Sequence, residues 1–354
     1  GEDRRLEVVR RFTRRLLLER PGLRVGVALG ELSLDPINQT LDQNKIDALY
    51  AELKHNQNSV FPAVSVPYTG LTLSCEVNGE AANALIHRED GVRFVSQEVA
   101  VKMQFTDDAN RALKRRFDEI FERKGSAIRM SDFEFPFKFD ELGQKEKNDY
   151  FAIIHIDGNN MGVKFRGCKT LLERRKLSRE IRRKTEGAFA ELLLKVIAML
   201  RAEGFGDKLV LKKNTLPIRP LILGGDDITF VCPAVMAVMF AKSMMELMSR
   251  DGIDCCGGAA IIPTAYPFFR GYTLTEQLCD AAKKSMRALN LPGGSSWLDF
   301  AILHGEQAPT LDQIRRAEYR GARGNLHFGS YRVDNRNAHS AIDRRHNIEN
   351  LLEC

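Results

Sequence analysis

Apolar positions in this chain change their period several times, and each change marks an element. Leu6, Val9, Phe12, Leu16 and Leu17 recur at helical spacing among arginines, which predicts an amphipathic helix over about 4–19. Leu23 to Leu29 reads as a strand and about 41–54 as a second helix. Residues 151–156, FAIIHI, form a nearly continuous apolar run of strand length. In period-2 geometry Phe151, Ile153, His155 and Asp157 share one face, and Ala152, Ile154 and Ile156 the other. Ala188 to Ala202 is helical, with Phe189, Leu192, Leu193, Val196 and Leu200 on its buried side. Ala234 to Arg250 is another helix, whose methionines read as core filler. Cys255 to Ile262 is a buried strand, and a third strand follows at SSWLDFAIL. The Gly-, Ser- and charge-rich stretch Lys124 to Asn148 reads as a linker.

Two segments carry chemistry. Leu221 to Val231, LILGGDDITFV, places two glycines and two aspartates between apolar runs, the pattern of a β-hairpin with paired carboxylates at its tip. Gly224 and Gly225 admit a tight turn and a close phosphate, and Asp226 and Asp227 are oxygen ligands suited to a hard divalent ion. Upstream, a buried strand ends at Asp157 and runs into the turn Gly158, Asn159, Asn160, Met161, whose backbone N–H groups offer a cradle for a triphosphate. Together these segments specify two Mg²⁺ or Mn²⁺ ions held by Asp157, Asp226 and Asp227 for nucleotidyl transfer. His155 is read as a packed core histidine and left outside the chemistry.

GGDD, DGNNMG and the segment YPFFRGYTLTEQLCDAAKKSMR (266–287) resemble the palm, or GGDD cyclase, region of the large subunit of type III CRISPR effector complexes. That group is kin to GGDEF diguanylate cyclases and class III adenylyl cyclases. The likeness extends over about residues 70–325. It implies an α+β fold: a ferredoxin-like palm, an antiparallel sheet with helices on one face, with a smaller N-terminal α/β domain. The expected division is 1–70, a helix-strand-helix unit and a possible degenerate first palm; 71–145, an intermediate segment with linker; 146–330, the catalytic palm; and 331–354, a basic tail. The resemblance also implies ATP as substrate, a cyclic or linear oligoadenylate as product, and Lys283 and Arg287, four apart on a helix, as phosphate-binding residues. It implies a second palm as well, supplied by the N-terminal remnant, another copy of the chain or another effector subunit. The chain departs from the family pattern at Asn159, where many members have Asp. It also has Asn78 where a Cys-x-x-Cys would need its second cysteine after Cys75, so no structural zinc is expected.

Composition narrows the setting. With 354 residues and 44% hydrophobic content the chain can bury more than one core. No apolar run reaches the roughly 18 residues of a membrane span, so a soluble cytoplasmic protein is expected. Seven scattered cysteines fit reduced thiols. The net charge of +6 is unevenly spread: Arg4 to Arg24 holds eight arginines against two glutamates, and Lys164 to Lys184 ten basic residues against two acidic. A third basic stretch runs from Gln313 to Arg345. These stretches fit RNA or another acidic partner, or solvated helix faces. Three other readings stay open: a non-catalytic RNA-binding scaffold, a diguanylate-cyclase-like enzyme using GTP, and a template-dependent polymerase. Gly162 counts against the last, because it stands where such polymerases carry a second Asp.

Overall fold

The computed structural model describes residues 2–23, 25–31, 40, 42–58, 70–88, 91–142, 150–202, 209, 211, 214–288, 295–304, 310–321, 324–325, 327, 329–333 and 346–352. Two compact units divide the chain: residues 1–115 with 169–171, and residues 116–168 with 172–354.

The first unit contains helices α1 (Glu2–Glu19) and α2 (Gln43–Gln57), the antiparallel hairpin β1 (Ala84–Arg88) and β2 (Gly91–Val95), and α3 (Gln97–Gln104). Asp42 caps α2 by accepting from the Asn44 and Lys45 amides, and Ser96 caps α3 through the Val99 amide. A small core of Cys75, Val95, Val99 and Ala100 lies under the hairpin. The strand expected at Leu23 to Leu29 does not form: the described residues there pair with no strand. The apolar stripe of α1 is also less buried than its spacing predicts, with Leu6 and Phe12 exposed.

The second unit begins within α4 (Thr106–Arg123) and is organised by a six-stranded sheet. Its elements run β3 (Tyr150–Gly158), α5 (Met161–Gly167), α6 (Leu171–Arg201), β4 (Arg219–Gly224), β5 (Asp227–Pro233), α7 (Ala237–Arg250), β6 (Cys255–Pro263), α8 (Phe268–Ala288), β7 (Trp297–Ile302), α9 (Leu311–Glu318), β8 (Arg320–Gly321), β9 (Gly324–Asn325), β10 (Tyr331–Arg332) and α10 (Ile348–Leu352). Spatial order is β10-β7-β6-β3-β5-β4. Strands β3 to β6 form the antiparallel βαββαβ arrangement of a ferredoxin-like palm, and β7 extends it in parallel beside β6.

The two faces follow from the period of β3. On the face of Ala152, Ile154 and Ile156, Phe189 of α6 meets Phe230 of β5 edge-on at 5.6 Å, and Met245 of α7 packs over Gly257. These are the two helices expected on one face. The β7 extension adds a helix on the other: α8, through Leu274 and Leu278, covers Phe151 and Ile153, and Ile314 of α9 joins the same core. Phe139 stacks on Phe151 at 4.3 Å in that layer.

Two expectations need correcting here. Residues 124–142 are anchored to the core rather than a free linker: Met130, Phe135 and Leu142 are buried, and the Met130 amide donates to Asp118 Oδ1 at 2.6 Å. Residues 143–149 of that stretch lie outside the described residues. Nor is the C-terminal stretch only surface. Tyr331 and Arg332 pair with β7, Ile348 is fully buried, and Glu349 bridges to Lys242 of α7 at 2.8 Å. Residues 334–345 between them lie outside the described residues. No helix among the described residues is long and apolar enough to cross a membrane.

Candidate functional site

The acidic segments meet at one end of the sheet because β3 and β5 are neighbours in register. The pairing ends at Ile156 opposite Ile228, so Asp157 and Asp227 stand one step further, on the same face. Gly224 pairs with Asp227, leaving Gly225 and Asp226 as a two-residue turn. Gly225 has φ +73° and Asp226 does not share that sign, the pattern of a type II′ hairpin. Asp227 is therefore a strand residue and Asp226 alone stands at the tip with Gly225. The tip folds onto the end of β3: a Cβ added to Gly158 would lie 2.7 Å from Asp226 Cβ and 3.2 Å from its Oδ2. Glycine at 158 is what lets the two acidic segments converge.

The electrostatics are those of crowded carboxylates. Burial, with Asp157 and Asp227 as neighbours, pushes the Asp226 carboxyl up from its ordinary value. Burial raises Asp227 too, and Asp157 adds to this while His155 opposes it. Asp227 Oδ1 is buried with no hydrogen-bond partner. Lys283 of α8 is placed against the group, paired with Asp157. Desolvation opposes its charge, but the hydrogen bond and attraction of Asp157 leave its ammonium more firmly protonated than usual.

Other predicted residues fall at varied distances from this centre. Arg287 is exposed, with no hydrogen bond or ion pair among the described residues, so of the predicted pair only Lys283 reaches a carboxylate. Asn159 is buried and turned away: its side-chain amide donates to Ser295 O at 3.0 Å and its backbone amide to Asp254 O at 2.7 Å. That backbone N–H is thereby withdrawn from the expected cradle. Asn160 takes a left-handed conformation (φ 60°) as it starts α5, and Met161 is buried in the first turn. In that first turn the Val163 and Lys164 amides both donate to Asn160 O, each at 3.1 Å, and so are also withdrawn from the expected cradle. His155, set aside on sequence grounds, lies 3.6 Å from Asp227, and only the β3–β5 register could have revealed this.

The donor set suits a hard divalent ion in one particular way. Among the described residues no three acidic, imidazole or thiol side chains already converge as a closed metal cage. An ion such as Mg²⁺, however, ordinarily takes only one or two carboxylates and completes its shell with water and substrate phosphates. Three aspartates brought to one end of the sheet, with the Asp227 side chain half open to solvent, fit that open mode.

No protein-family model matches the chain, and no curated protein matches it. Solved structures do align with part of it. The Csm1–Csm4 cassette in complex with cA4 aligns at 13% identity over 44% of this chain and 21% of that chain, with a TM-score of 0.32. Csm1 of T. onnurineus aligns at 14% over 45% and 22%, TM-score 0.33. The cassette in complex with AMPPNP aligns at 14% over 38% and 20%, TM-score 0.30. The aligned part is about a fifth of those chains. Likeness at this level leaves the functional reading to the site itself.

Proposed function

We propose that the cleft at the ends of β3 and β5 is a metal-dependent nucleotidyl-transfer site. It would join nucleoside triphosphates, ATP foremost, into a linear or cyclic oligonucleotide with release of pyrophosphate, as a signal in prokaryotic antiviral defence. The observation that carries this reading is the convergence of Asp157, Asp226 and Asp227 at one end of the sheet, where burial and neighbouring carboxylates raise Asp226. A fold gains nothing by crowding three carboxylates at one strand end, so the cost points to a ligand. Two divalent ions, when bound, would activate the attacking ribose hydroxyl and neutralise the leaving pyrophosphate. Asp157, Asp226 and Asp227 would orient them. Gly225, open on the side where a Cβ would stand, leaves the turn backbone approachable by phosphate. Lys283, on a flexible stem beside the carboxylates, supplies a mobile positive charge for the triphosphate.

RNA within an effector complex is the partner this reading carries, and α5 with the first half of α6 is the surface proposed for it. Lys164, Arg166, Arg175, Lys176, Arg179 and Arg183 are all exposed there. The test of the main reading is pyrophosphate release from each NTP with Mn²⁺. Asp226→Ala with Asp227→Ala should abolish turnover while the fold persists, since neither side chain belongs to the core. Turnover at the parent rate in that double variant would place the chemistry elsewhere.

A further inference from the structure

On the α8 face of β3 and β5 the inward positions are apolar until the last rung. Phe151, Ile153 and Val231 build core, and then His155 stands opposite Thr229, one rung before the carboxylates. Both are buried, at 8% and 1% exposure. Packing alone would favour aliphatic side chains at such a rung, because a buried polar group costs free energy unless it is satisfied.

His155 and Thr229 satisfy each other, and the imidazole lies against Asp227. His155 Nδ1 lies 3.1 Å from Thr229 Oγ1 and 3.6 Å from Asp227 Oδ1. The hydroxyl of Tyr272, from α8, interacts with the Thr229 side chain. The Tyr272 ring meets the imidazole edge-on, with centroids 5.8 Å apart and planes at 71°. Thr229 and Tyr272 thus fix the imidazole from two sides. Asp227 is 46% exposed as a side chain, yet its Oδ1, the oxygen beside the imidazole, is wholly buried. The carboxylate is held half in and half out.

We infer that His155, Thr229 and Tyr272 are positioning residues that hold Asp227 with one oxygen sheltered and the remainder turned to the cleft, and so set the metal affinity of the site. This rests on the nucleotidyl-transfer reading and adds to it the part of the protein that organises its ligand. A carboxylate at a hairpin would otherwise lose rotational freedom when it binds an ion. Partners that restrict it beforehand remove that cost, which is why such supporting groups are typically worth about 10–100-fold in affinity or activity.

The test is direct binding of Mn²⁺ to the full chain in the presence of a non-hydrolysable ATP analogue, read from the electron paramagnetic resonance of free Mn²⁺. Thr229→Val and Tyr272→Phe each remove one hydroxyl with little change of shape. Each should raise the Mn²⁺ dissociation constant about 10-fold or more. Thr229→Ser, which keeps the hydroxyl, should bind as the parent does, a rescue that a purely packing role would not give. Thermal melts follow folding, and Tyr272→Phe carries the test if Thr229→Val is unstable. Asp227→Ala is the control for the site. If it loses Mn²⁺ while Thr229→Val and Tyr272→Phe bind like the parent, the positioning role is overturned and the metal site stands. If Asp227→Ala itself binds like the parent, the metal site falls and the positioning role with it.

Discussion

Gly258 sits in β6 beneath α8, and replacing it with alanine should separate the two. A Cβ there would lie 2.2 Å from Thr275 O, 2.7 Å from Cys279 N and 2.8 Å from Leu278 Cβ. Two of these are backbone atoms of a helix and cannot rotate aside. Ordinary contact begins at about 3.4 Å, so α8 must retreat by roughly 1 Å. Overpacking of this kind costs about 1–3 kcal/mol. For a unit of this size that lowers Tm by roughly 2–4 °C per kcal/mol. Gly187 provides the control of opposite sign: it lies within α6 with nothing inside 4 Å of an added Cβ, so Gly187→Ala should stabilise by about 0.5–1 kcal/mol. Thermal and urea unfolding of both variants and the parent decide the matter. The retreat should also carry Lys283, one turn beyond Cys279, away from Asp157 and slow turnover beyond what the stability loss explains. A Gly258→Ala protein that melts at or above the parent would refute the close packing of α8 on β6.

Three further outcomes are expected. Asn159→Asp removes the donor to Ser295 O and sets a carboxylate against that carbonyl, so it should destabilise by about 1–3 kcal/mol in urea unfolding; an unchanged midpoint would free Asn159 from the role the structure gives it. Asp226 has a raised folded-state pKa, so its contribution to stability is fully present below its unfolded value near 3.8 and is lost as pH rises through the folded value. Asp226→Asn should therefore raise Tm at pH 7 in metal-free buffer, with the gain vanishing below about pH 4; a constant difference across pH would point to packing instead. Arg175→Glu with Arg179→Glu should flatten the salt dependence of RNA binding by just under one unit of log–log slope for each phosphate no longer neutralised, and an unaltered slope would mark these arginines as solvated surface.

Local features are legible in the sequence. FAIIHID and LILGGDDITFV announce their strands through uninterrupted apolar runs, and the turn between Gly224 and Asp227 through its glycines. Nothing local joins Lys164–Lys184 to Ala188–Ala202, because one continuous 31-residue helix, α6, changes surroundings midway: residues before Ile181 are largely exposed, whereas from Thr185 on one side of the helix, with Phe189, Leu193 and Val196, is buried. Residues 124–142 lack any period since their short turns are buried by distant partners, as when Phe135 meets Phe117 at 6.3 Å. Lys283 came to notice through the resemblance, as one of a pair four apart on a helix. Arg287, one turn on, was not distinguishable from it until α8 had a rotation about its axis. His155 and Thr229 gain meaning only from the β3–β5 register, which no single segment encodes.

The Lys283–Asp157 pair gives the resting cleft its own counterion. On the nucleotidyl-transfer reading, an aspartate already neutralised by an ammonium would attract a bare divalent cation weakly, so the protein would discourage metal from settling before a nucleotide. A triphosphate would change the balance, because it would offer Lys283 a better-charged partner and bring oxygens that complete the coordination of an ion. Vacating Asp157 and loading it would then become one event. Metal and nucleotide would enter as a joint cargo, each raising the apparent affinity of the other, and the lysine would work as an interlock that keeps the site from being half armed.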